Sequence, residues 1–125
     1  MSSTSGQPTI FSRIIAREIP ATIVVETENI IAFLDIAPQA PVHVVVTPKD
    51  PQFQNVIELA AGNPALLAEL VAVAERIAAE RTDGQFRLVF NTGTAAGQTV
   101  FHVHAHLLGS QESTDSLGED SLGAL

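Results

Sequence analysis

The segment Thr99-Val-Phe-His102-Val-His104-Ala-His106-Leu-Leu108 alternates imidazoles with apolar residues. A period of two predicts a β-strand over 99–108 whose successive side chains point to opposite faces. His102, His104 and His106 then share one face, flanked by Val100 and Leu108. Phe101, Val103, Ala105 and Leu107 face a core. The chain has four histidines, and the fourth is His43.

Working back from this strand, residues 85–90 read as another strand, entered through the turn Thr82-Asp-Gly84. Before it, Asn63-Pro64 starts a long helix, with Asn as N-cap and Pro in the first turn. From 64 to 81, Leu66, Leu67, Leu70, Val71, Ala74, Ile77 and Ala78 form its apolar face. The run from Pro51 to Leu59 reads as a short helix. Residues 22–26, 30–34 and 42–47 are β-branched runs, the first two joined by the turn Thr27-Glu28-Asn29. Thr9 caps a short helix over 10–17, which Glu18-Ile-Pro20 stops. Strands in succession, one long helix and two further strands predict an α+β domain on a mainly antiparallel five-stranded sheet, with one or two short helices.

The chain has 125 residues, 46% apolar and 16% charged, enough to build one core. The domain is expected over 9–109, after a Ser/Gly/Pro leader at 1–8 and before an acidic tail at 110–125. That tail contains Glu112, Asp115, Glu119 and Asp120 and carries part of the net charge of −8. With six Lys and Arg and no basic cluster, no nucleic-acid partner is expected. No apolar run approaches the roughly 18–20 residues of a membrane span. The first residues lack the basic start and apolar stretch of a secretory signal, so a cytoplasmic location is expected. The lack of Cys rules out disulfides, thiolate ligands and a Cys nucleophile.

Three readings of the histidine strand stand side by side. The rings can be a solvated sheet face. They can bind a metal ion, with Asp35 as an added ligand. Four residues of strand span roughly 13 Å, however, so all three rings meet one ion only if the strand bends sharply. They can also do nucleophilic and acid–base chemistry, with His104 attacking phosphorus through a neutral ring nitrogen. The preceding loop, Asn91-Thr-Gly-Thr-Ala-Ala-Gly-Gln-Thr99, suits the last reading. Gly93 and Gly97 let backbone N–H groups converge on an anion, while Asn91, Gln98 and Thr99 bring side-chain hydrogen bonds.

His102-Val-His104-Ala-His106-Leu-Leu108 resembles the His-φ-His-φ-His-φ-φ motif of the histidine triad (HIT) superfamily, where φ is apolar. Ile10-Phe11, Glu18-Ile-Pro20, Phe33–Pro41 with Val42-His43, and Asn91 with Gly97-Gln-Thr99 are similar to its nucleotide-binding Hint branch. The resemblance runs from about residue 10 to 109. It implies a HIT-like fold in a homodimer with the long helix at the interface, and hydrolysis of purine nucleoside 5′-phosphoramidates. His104 would form a nucleotidyl-histidine, His102 would orient it, and His106 and His43 would hydrogen-bond around the phosphate. Asp35 would take the ribose hydroxyls and Ile36 would lie against the nucleoside. Asn91, Gly97, Gln98 and Thr99 would bind the phosphate and leaving group. No metal or other cofactor is implied.

Three departures from that pattern stand out. Thr99 replaces the Ser usual in Hint proteins and resembles the Fhit branch, which cleaves dinucleoside polyphosphates. Gly109-Ser-Gln111 replaces Gly-Gly-Arg, and the C-terminal Trp-Pro-Pro-type ending is missing. A nucleotide-binding module with little turnover therefore stays beside the two enzyme readings.

Overall fold

The computed structural model describes residues 8–110 and 117. Apart from Pro8, Ser110 and Leu117, the leader and tail expectations lie outside the described residues. The elements are α1 (Ile10–Ile15), β1 (Ile23–Glu26), β2 (Ile30–Leu34), β3 (Val42–Pro48), α2 (Val56–Gly62), α3 (Pro64–Arg81), β4 (Arg87–Val89), a 3₁₀ turn (Thr94–Ala96) and β5 (Ala105–Gly109). The strands form an antiparallel sheet in the order β1-β2-β3-β5-β4. No helix among the described residues is long and apolar enough to cross a membrane.

Local chemistry explains most boundaries. The Thr9 hydroxyl accepts from the Ser12 N–H while Ser12 Oγ accepts from the Thr9 N–H, a reciprocal cap that starts α1. The helix ends sooner than 10–17 because Arg17 turns into the left-handed region at φ 63°. Asn55 and Asn63 each accept from a backbone N–H three residues on, which starts α2 and α3. The helix expected from Pro51 thus begins at Val56 instead. On the apolar face of α3, Val73 is buried where Val71, expected inside, is 42% exposed.

β3 is buried along its whole length because both faces of the sheet are covered. Val42, Val44 and Val46 join Ala105 and Leu107 in a core under α3, with Leu70, Ala74 and Ile77. On the opposite face, Val45 and Phe33 pack against Phe11 and Ile14 of α1. That second face also carries the site.

The expected strand over 99–108 is shortened to β5, and the one over 85–90 to β4. Ahead of Ala105 the backbone bonds outside the sheet: the Val103 N–H donates to Phe53 O at 2.9 Å, and its carbonyl accepts from Thr47 Oγ1 at 2.8 Å. A segment whose polar groups are met by a loop and a side chain has no ladder to join.

Candidate active site

Shortening β5 changes how the three histidines are presented. His102 lies outside the strand with no exposed surface, and its Nε2–H donates to Pro48 O at 2.7 Å. It does not share an open face with the others, as strict alternation predicted. His104 follows at the turn, where its Nδ1–H donates to His102 O at 2.9 Å. In a neutral ring this leaves the lone pair on Nε2. His106 lies in β5, opposite Val45, with its ring centre 5.1 Å from that of His104. His43, on the neighbouring strand and diagonal to His106, brings its Nε2 to 2.9 Å from His106 Nδ1.

A cavity of about 330 Å³ opens in front of these rings. Its polar wall is made by His104, His106, Asp35, Asn91, Gly97 and Thr99, and Ile36 stands at the edge with 94% of its surface exposed. The rest is apolar, from Ile10, Phe11 and Ile14 of α1, then Ile19, Phe33 and Val45. His102, His43 and Gln98 are off the cavity wall. Gln98 is buried, with Oε1 accepting from the Gly93 N–H and Nε2 donating to Gln54 O and Val100 O. Its side chain holds the loop and is spent there, so the direct phosphate contact expected of it is replaced by a supporting one. Gly97 closes the 3₁₀ turn at φ 100°, a conformation that favours glycine.

Phe11 is the residue the motif did not point to. Its ring meets His104 edge to face, centres 4.6 Å apart at 81°, and also touches His102 and Phe33. The signal was the apolar face of α1, which reads as ordinary core.

Burial sets the electrostatics. It pushes His104 down to about 4, against a smaller upward pull from its bond to His102 O. Burial also lowers His102, His43 and His106; for His106 the neighbouring His43 adds to this, while Asp35 opposes it. Near neutral pH the cluster therefore holds uncharged rings, as a nitrogen nucleophile requires. Among the described residues, the donors of Asp35, His43 and His106 lie within 4.8 Å of one another, close enough to meet one ion. Only one member of the triad belongs to that set.

Residues 16–113 match the HIT domain. The chain belongs to the HIT family. An uncharacterized HIT-like protein of Synechococcus elongatus is 51% identical over 108 residues, covering 85% of this chain and 93% of that one. The purine nucleoside phosphoramidase of Escherichia coli K12 is 39% identical over 108 residues, covering 85% and 90%. Among solved structures, a HIT family hydrolase from Clostridium thermocellum superposes with a TM-score of 0.78 at 40% identity, covering 90% of this chain and 98% of that one. The antiparallel sheet and the long helix under it are thus the HIT fold.

Proposed function

We propose that this HIT protein is a cytoplasmic, homodimeric hydrolase of purine nucleoside 5′-phosphoramidates. One observation carries the reading: His104 is a neutral ring on the cavity wall whose Nδ1–H is tied to a backbone carbonyl, so its Nε2 lone pair is the nucleophile. In the first step Nε2 bonds to the α-phosphorus, the P–N bond to the leaving amine breaks, and the amine leaves with a proton taken from solvent, which the attacking water of the second step returns. Water then attacks phosphorus, the P–Nε2 bond breaks, and a 5′-monophosphate is released. Asn91, Gly97 and Thr99 bind the phosphoryl oxygens, Asp35 takes the ribose hydroxyls, and Ile36 with the α1 wall packs against the base. His102 orients His104 through its carbonyl. The phosphoramidase from E. coli supports the choice of substrate.

The test is incubation with adenosine 5′-phosphoramidate, rapid quenching and intact-mass measurement. Wild type should carry a nucleotidyl adduct, and His104→Ala should lose the adduct and about a thousandfold or more of turnover. Undiminished turnover in that variant would overturn the mechanism. Thr99 on the wall favours a second reading, cleavage of dinucleoside polyphosphates, which competition between the two substrates separates. Tight mononucleotide binding with no adduct and no product release would mark a nucleotide-binding module.

A further inference from the structure

We infer that the loop after β2 sets the tautomer of a two-histidine relay, so that His43 is a positioning residue that makes His106 a permanent N–H donor into the cavity. The inference deepens the reading above and rests on it for the role of that donor. It starts from Gln39, whose backbone N–H donates to His43 Nδ1 at 3.0 Å. A backbone N–H cannot accept, so Nδ1 must hold a lone pair and the ring proton must sit on Nε2.

Asp35 is compatible with the same arrangement. Its Oδ2 lies 3.4 Å from His43 Nε2, and a carboxylate only accepts. The hydrogen-bond acceptor before the Nε2–H is His106 Nδ1 at 2.9 Å. With a proton already facing it, His106 Nδ1 must be unprotonated. The proton of the neutral His106 ring is then on Nε2, the nitrogen on the far side from His43.

The loop is built to hold this state. Asp35 Oδ1 accepts from the Ala37 N–H at 2.8 Å, Gln39 Nε2 donates to Ala37 O at 3.1 Å, and the Asp35 N–H donates to His43 O at 3.1 Å. Pro38 and Pro41 restrict the chain on either side of Gln39. His43 is buried, so water does not replace these partners.

Two consequences follow for the chemistry. His106 gives a hydrogen bond to a phosphoryl oxygen in every turnover without having to select a tautomer, the preorganised donor that transition-state charge needs. His43 Nε2, carrying its proton, also has no lone pair to offer an ion, so Asp35, His43 and His106 do not form a metal site while the Gln39 bond stands.

Long-range ¹H–¹⁵N correlation spectra of the full-length ¹⁵N-labelled protein at pH 7.5 test the assignment directly. Both His43 and His106 should show a protonated Nε2 and an unprotonated, accepting Nδ1. A His106 ring protonated at Nδ1 would overturn the inference, whatever the enzyme turns over. His43→Leu should shift His106 towards a tautomer mixture and lower kcat for adenosine 5′-phosphoramidate about tenfold, with KM little changed. His43→Gln, which keeps a donor near the position of Nε2, should restore the His106 tautomer and most of kcat. A Leu variant whose His106 spectrum is unaltered would also sink the idea. If that variant does not fold, the wild-type and Gln spectra decide. Absence of phosphoramidate turnover in wild type would count against the proposed substrate alone, because the ring spectra need no substrate.

Discussion

The His104 ring shows how much one backbone bond decides. With Nδ1 held by His102 O, the two nitrogens differ, and burial keeps Nε2 unprotonated down to about pH 4. Catalysis through neutral His104 should therefore be flat from pH 7.5 to about 5 and fall as the ring protonates near 4, in kcat against pH on adenosine 5′-phosphoramidate. Stability should behave differently over the same range. The unfolded ring takes up a proton below about 6.5 and the folded ring does not until about 4, so unfolding binds protons in that window and acid weakens the fold. His43, His102 and His106 shift the same way and add to the slope. Thermal midpoints should fall steadily from pH 7 to 4.5, and His104→Asn should flatten that fall; an equal slope in the variant would contradict the assignment.

At the scale of elements, the turn before β5 is held from a distance. Thr47, Pro48 and Phe53 supply its hydrogen bonds, and Gln98 ties the glycine loop to Gln54. Thr47→Val keeps the shape but removes the donor to the buried Val103 carbonyl. It should cost about 1–3 kcal/mol in urea unfolding with an unchanged m-value. Gln98→Ala removes three bonds at once and should cost about 3 kcal/mol while raising KM for the phosphoramidate, since the loop that presents Gly97 and Thr99 is loosened. A Gln98→Ala enzyme with wild-type stability and KM would remove the supporting role given to this side chain. These same bonds explain where the sequence misled. Caps at Thr9 and Asn63 and the turn at Thr27 rest on neighbours within three residues, so α1, α3 and the first hairpin start where local chemistry places them. The ends of β4 and β5 depend on partners far along the chain, which periodicity does not contain.

For the whole molecule, α3 covers one face of the sheet and leaves Val71 outward, 42% exposed, with Leu67 half-buried on the same helix. In the homodimer proposed here this outward side is the contact. Val71→Glu should convert a dimer into a monomer in sedimentation velocity at micromolar concentration, through the cost of burying an unpaired carboxylate. A wild-type chain that sediments as a monomer would remove the dimer from the proposal.

The His-φ-His-φ-His-φ-φ motif carries the resemblance to the HIT family, and the order of strands and helices carries the α+β fold, because each is written in short-range pattern. His104 is the middle imidazole of the motif, and the resemblance to HIT proteins implies site roles for Asp35, Asn91, Gly97 and Thr99; the structure lines one cavity with all five. Only the tertiary structure decided that His102 turns inward, that Gln98 is spent on the loop, that Phe11 packs on His104, and that His43 meets His106. The physical reason lies in the partners: Pro48 O is 54 residues from His102, Gln54 O is 44 from Gln98, and His106 is 63 from His43. A periodic pattern can assign a side chain to a face, but which nitrogen on that face carries a proton depends on groups the fold brings from elsewhere.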